Sequence, residues 1–143
     1  MSHLDADRPK TAEGREYHLH TTAGDLAPHC LLVGDPDRAE MIATKLLKNA
    51  RKVGDHRGLR SFTGENIDGS PVSVVTTGMG GASIGIVLPE AVRSGARAFI
   101  RVGSCGALRA DVRTGDVVIC SAAVRLDGAS LNWAPIEWPA AAD

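Results

Sequence analysis

The chain has 143 residues, 43% of them hydrophobic, with 16 Lys and Arg against 17 Asp and Glu for a formal charge of -1 at pH 7. That length supports one packed core, and so even a charge balance supplies no field favouring nucleic acid or an anionic membrane. No stretch approaches the ~18 apolar residues of a membrane span, and Cys30, Cys105 and Cys120 are odd in number without CxxC spacing, so neither a disulfide framework nor a zinc knuckle is indicated. These features predict a soluble, cytoplasmic protein.

Residues 1–15 mix charge, Pro and Gly without periodicity and predict a flexible amino-terminal arm ahead of a folded portion over 16–143. Cys30-Leu31-Leu32-Val33, stopped by Gly34, has the composition of a buried strand. A helix follows: Asp35 can cap it, Pro36 suits its first position, and Ala39, Ile42, Ala43, Leu46 and Leu47 form one apolar stripe. Arg57 is then read on a connecting segment. Ser61 to Ile67, the turn Asp68-Gly69-Ser70-Pro71 and Val72 to Thr77 predict an antiparallel hairpin.

Gly78-Met79-Gly80-Gly81 opens a second strand-to-helix junction, and Ile84, Val87, Leu88, Ala91 and Val92 repeat the helical stripe up to Gly95. Pro89 interrupts that helix and should kink it or remove one hydrogen bond. Ala98 to Ser104 reads as a buried strand carrying Arg101, and Val117 to Cys120 as a further strand introduced by Thr114-Gly115-Asp116. Strands alternating with helices predict an α/β architecture with a mixed, largely parallel sheet, whose ligands sit beyond the carboxyl ends of the strands.

A lone guanidinium in an apolar strand calls for an anion, because burying it unanswered costs several kcal/mol, roughly, and few acidic residues look buried. Arg101 with the Ser104 hydroxyl and the amides freed by Gly103 and Gly106 can converge on an oxyanion. Gly34-Asp35-Pro36-Asp37-Arg38 aims a helix amino terminus and a guanidinium at one place, although a surface pair of Arg38 with Asp35 or Asp37 explains the same residues. Gly78 to Ser83 is neither a dinucleotide fingerprint nor a P-loop, since Ser83 replaces the third glycine and no Gly-Lys-Ser/Thr follows; taken alone, tight strand-helix packing accounts for it better than a ligand does. His18 and His20 lack a third ligand at metal-binding spacing, so no metal site is assigned. Arg125 to Ser130 reads as a charge-shaped turn, and Trp133 and Trp138 as packing or interface residues.

Taken together, Gly34-Asp35-Pro36-Asp37-Arg38, Thr77-Gly78-Met79-Gly80-Gly81, Ile100-Arg101-Val102-Gly103-Ser104 and Val124-Arg125-Leu126-Asp127-Gly128-Ala129-Ser130 resemble the hexameric-type nucleoside phosphorylases, nearest their uridine phosphorylase branch. The resemblance runs in the family's order from about Tyr17 to Asp143. It implies a three-layer α/β/α fold, here an amino-terminal portion, and phosphorolysis of a nucleoside to free base and ribose 1-phosphate, with orthophosphate as cosubstrate and no cofactor. Gly34, Arg38, Arg101 and Ser104 would hold phosphate, Ser104 standing where the family usually has threonine, and Arg57 would reach the same anion from a neighbouring subunit. His18 would face the ribose 5'-hydroxyl of a neighbour's site, with Met79 and Gly80 near the sugar. The arginines would orient phosphate, since guanidinium stays protonated.

Shared sites imply a homo-oligomer, a dimer or a hexamer built as a trimer of dimers, whose partners are a nucleoside and phosphate rather than nucleic acid or membrane. Two alternatives remain: a purine nucleoside phosphorylase, or a non-catalytic phosphate-binding or assembly fragment, because the family's later ribose- and base-gripping segments are absent from this sequence.

Overall fold

The computed structural model describes residues 7–142, so the expected arm over 1–15 lies partly outside the described residues. The chain divides into two compact units, one ending at Val102 and one beginning at Gly103. Near the start of the first, Lys10 and Glu16 form an isolated bridge and the amide of Thr11 donates to the carbonyl of Arg15 at 2.9 Å.

The first unit runs β1 (His29–Val33), α1 (Pro36–Leu46), β2 (Lys48–His56), β3 (Leu59–Glu65), β4 (Pro71–Thr76), α2 (Gly81–Arg93) and β5 (Ala98–Arg101). The strands form one mixed sheet in the order β2-β3-β4-β1-β5. β4, β1 and β5 are parallel, and β3 and β2 continue the sheet antiparallel beside β4.

Alternation along the strands makes two cores. Cys30, Leu32 and Val75 pack with Val87 and Ala91 of α2, whereas Val33 and Val74 pack with Ala39, Ile42 and Ala43 of α1. Consecutive residues point to opposite faces, so Leu32 beside Val33 and Val75 beside Val74 put the two helices on opposite sides. The result is the expected α/β/α layering. α1 begins as its sequence predicts, with Pro36 in the first turn and the Asp35 side chain accepting from the amide of Asp37 at 3.0 Å. α2 continues through Pro89, which has no amide hydrogen for the carbonyl of Gly85.

Three elements differ from expectation. Strand β2 has no counterpart in the sequence reading, although Arg57 does lie on the connection that follows it: the charged residues Lys48, Arg51, Lys52 and Asp55 hide the strand from a hydrophobic reading, and only Val53 and Gly54 are buried. An outer strand is hydrogen-bonded on one flank only and tolerates charge elsewhere. β5 forms, but it is not buried. It occupies the other end of the strand order, with Phe99 half-buried and Ile100 and Arg101 exposed. Leu46, expected in the α1 stripe, is exposed in that helix's last turn.

In the second unit the amide of Asp116 donates to the carbonyl of Arg113 at 3.1 Å and Gly115 takes φ 98°, making the anticipated turn. Val117 to Cys120, expected as a strand, is exposed and joins no ladder, which leaves its backbone without the cross-strand bonds that define one. β6 (Ala122–Ala123) and β7 (Ala140–Ala141) form a short antiparallel pair. The Arg125 guanidinium organises the segment between them, donating to the carbonyls of Ser130 and Ala134 at 2.7 Å each and of Trp138 at 3.1 Å. Asp127 accepts from the Ser130 amide at 2.7 Å and opens a short 3-10 helix over Ala129–Asn132. Arg125 and Asp127 thus shape the turn by filling its backbone valences.

Candidate functional site

The sheet brings the predicted segments of the first unit to one edge. β4, β1 and β5 run side by side, with Val33 opposite Thr76 and Leu32 opposite Arg101. Gly34, Thr77-Gly78 and Arg101-Val102 therefore all lie at the carboxyl ends of adjacent parallel strands. The amide of Val102 donates to the Leu32 carbonyl at 2.9 Å, and that of Thr77 to the Val33 carbonyl at 2.7 Å. The approach is close: a Cβ on Gly34 would stand 3.3 Å from the Gly78 carbonyl oxygen.

Arg38 leaves the first turn of α1 half-buried. The surface pairing that could have explained it is taken up otherwise, since Asp35 caps the helix and Asp37 accepts from Arg60 at 2.9 Å, beside Glu40 at 2.7 Å. Among the described residues the side chains of Arg38 and Arg101 make no ion pair or hydrogen bond. They start from different layers: Arg101, the register partner of Leu32, shares the face covered by α2, and Arg38 belongs to α1 on the other. Two guanidinium groups so placed can answer an anion only beyond the strand ends.

The glycine turn after β4 needs its glycines. Gly78 has φ 68° and Gly80, which precedes α2, has φ 87°. A Cβ on Gly78 would lie 2.8 Å from Ser83 Oγ, whose hydroxyl donates to the Thr77 carbonyl at 2.5 Å. Met79 between them is exposed. Ser104 falls in the second unit, in an exposed stretch without regular structure.

Arg57 sits in the tight turn between β2 and β3, where it and Gly58 both have positive φ, 53° and 77°, the signature of a type I' hairpin. β3 begins opposite the carboxyl end of β4, so this turn lies on the same sheet edge as Arg101. Three strand spacings, about 14 Å at ~4.8 Å each, separate β3 from β5. The Arg57 guanidinium lies 5.4 Å from the centre of the Tyr17 ring, which meets the His18 ring edge-on at 5.2 Å. The two residues that the resemblance assigns to a neighbour's site thus share one aromatic side chain.

His18 and His20 are turned to different partners. His18 Nδ1 lies 2.8 Å from Glu90 Oε1. His20 stacks on His56 at 3.8 Å, where burial, then the nearby His56 and Arg15, hold it below the ordinary histidine range. A cleft of about 260 Å³ beside that stack is lined by Arg15, His20, Lys52, Val53, Gly54 and Asp55. Sequence reasoning missed Glu90 and Tyr17. Neither carries a motif, and Glu90 meets His18 across 72 positions.

Residues 28–142 match the phosphorylase superfamily. Over 140 residues, 98% of this chain and 50% of the relative, the sequence is 44% identical to a uridine phosphorylase of Thermococcus kodakarensis. It is 44% identical over 129 residues to the uridine phosphorylase of Escherichia coli K12, covering 89% of this chain and 50% of that protein. A DeoD-type purine nucleoside phosphorylase of Photorhabdus laumondii is 47% identical over 103 residues, 71% of this chain and 43% of its own. The chain spans about half the length of the curated relatives it matches. With its glycine turns and arginines gathered at the carboxyl edge of an α/β/α sheet, the chain belongs to the phosphorylase superfamily.

Proposed function

We propose that this chain carries the phosphate-holding portion of a nucleoside phosphorylase that cleaves uridine to uracil and ribose 1-phosphate in the cytoplasm. The observation that carries the reading is the pair Arg38 and Arg101, neither engaged by an acid among the described residues, set about the carboxyl end of β1, where Gly34 follows the strand. Uridine is favoured over a purine nucleoside because the uridine phosphorylase relatives align over 89–98% of the chain, against 71% for the purine enzyme.

In this reading Gly34, Arg38 and Arg101 hold orthophosphate, the cosubstrate, and no metal is used. A phosphate oxygen forms the bond to C1' while the bond from C1' to the base breaks. Its electron pair leaves with the base, which then takes up a proton. Positive charge develops on the sugar, and a dianion fixed beneath it both stabilises that charge and captures it. Arg38 and Arg101 orient the nucleophile and do not exchange protons. Arg57 and His18 serve a neighbouring copy, to its phosphate and its ribose 5'-hydroxyl, while Met79 and Gly80 lie along the sugar. The grouping of Arg57 and His18 around Tyr17 supports a shared site and hence a homo-oligomer, at least a dimer.

Uracil release from uridine, followed with and without phosphate, tests the reading. Phosphate-dependent release is expected. A rate indifferent to phosphate would remove the phosphorylase assignment, and phosphate binding without any release would favour a non-catalytic phosphate-binding module.

A further inference from the structure

Glu90 stands on the buried face of α2, 2% exposed, in the same helix as Val87 and Ala91 of the core. A carboxylate so placed must be answered by donors. Here the amide of His18 donates to Oε1 at 3.2 Å and Oε2 at 3.1 Å, and the amide of Leu19 to Oε2 at 2.8 Å. The fourth contact is the ring, with His18 Nδ1 at 2.8 Å from Oε1. The nearest cation on the same helix, Arg93, is engaged by Glu16.

An ionised carboxylate only accepts hydrogen bonds, so the proton between the two groups belongs to Nδ1. A neutral imidazole protonated there presents Nε2 as an acceptor. Tyr17 packs edge-on against the same ring at 78°, which resists its rotation, and the His18 side chain keeps 22% of its surface open. We infer that Glu90 is a positioning residue that fixes the tautomer and orientation of His18, holding Nε2 outward as an acceptor for the hydroxyl of a sugar. This rests on the reading of His18 as ribose-facing. It adds what makes that histidine an acceptor, and why a buried acid occupies this helix.

The test reads the proton directly. The 143-residue chain is labelled with 15N-histidine, and the ring nitrogens are observed by multiple-bond 1H–15N NMR at about pH 9, where an imidazole is neutral, with His18→Gln assigning the His18 signals. The expected result is a protonated Nδ1 and a pyridine-like Nε2. In Glu90→Gln the carboxamide oxygen is best used by the Leu19 and His18 amides, which turns its NH2 toward the ring and moves the His18 proton to Nε2.

A pyridine-like Nδ1 in the unsubstituted chain would overturn the inference, and so would an unchanged tautomer in folded Glu90→Gln. If that variant does not fold, the unsubstituted chain decides alone. No nucleoside enters the measurement, so uridine cleavage indifferent to phosphate would defeat the ribose reading and leave the tautomer result standing.

Discussion

Arg93, in the last turn of α2, holds the carboxylate of Glu16 through Nε at 3.0 Å and Nη2 at 2.7 Å, across 77 positions of sequence. Lys10 reaches the other oxygen. Burial alone would push the Glu16 carboxyl up, but the hydrogen bonds and charges of Arg93 and Lys10 outweigh it and hold the group below the ordinary carboxylate range. The same contact raises Arg93 above its usual value. This pair fastens the segment bearing Tyr17, His18 and Leu19 to α2.

Arg93→Ala should therefore destabilise the chain by about 2–3 kcal/mol, because it strands a buried carboxylate that retains only Lys10. Urea unfolding at pH 7 measures the loss, and a change under ~0.5 kcal/mol would show that the clasp is idle.

The same pair sets a pH dependence. A carboxyl whose folded value is depressed contributes stability in full above its ordinary value of 4.5, and the contribution is lost as pH falls through the folded value. The stability gap between the unsubstituted chain and Arg93→Ala should thus be constant from pH 7 to about 5 and close progressively below about 4. A gap that widens on acidification would contradict the assignment.

Gly54 lies where β2 passes under that segment. A Cβ there would fall 2.2 Å from the Leu19 carbonyl oxygen and 3.1 Å from Thr21 Cγ2, and a backbone carbonyl cannot yield without dragging Leu19 off Glu90. Gly54→Ala should cost about 3 kcal/mol, as overpacking of a buried contact does. Hydrogen exchange should show the Leu19 amide losing protection before the amides of β1.

Arg38→Ala and Arg101→Ala should each weaken phosphate binding about 10- to 100-fold, the worth of a charge-assisted hydrogen bond of roughly 1.5–3 kcal/mol. Because neither side chain has an acid partner among the described residues, stability should change by less than ~0.5 kcal/mol. Calorimetric titration with phosphate, paired with urea unfolding, separates the two effects; large destabilisation with intact binding would mark the arginines as structural.

The three thiols should divide by exposure. Cys30 is buried, and burial pushes its thiol up to about 12, whereas Cys105 and Cys120 are exposed. Since the thiolate is the reactive form, a thiol-specific reagent at pH 8 should label Cys105 and Cys120 at once and Cys30 only on unfolding. Mass mapping of the labelled peptides checks the order.

Local signals that were self-sufficient in the chain proved legible. Asp35 and Pro36 mark the start of α1 because a cap and a fixed φ act within a few residues, and the alternation from Ser61 to Thr76 marks the β3–β4 hairpin for the same reason. β2 was not legible. Its charges report a strand hydrogen-bonded on one flank, a condition set by β3 and not by its own residues. Arg101 was legible as a strand residue, but its exposure was not, because strand order is decided by pairing and β5 has a neighbour only in β1.

By itself the sequence determined the chemistry available: two strand-to-helix turns built on glycine, arginines in positions where helix and strand ends point, and an order of phrases shared with one family. Tertiary structure decided which groups remain free to use that chemistry. Asp37 goes to Arg60 and leaves Arg38 without an acid among the described residues, Glu16 goes to Arg93, and Glu90 is left for His18. The physical reason is that a carboxylate's few lone pairs are shared out by proximity in space, and no spacing along the chain records which cation or ring arrives first.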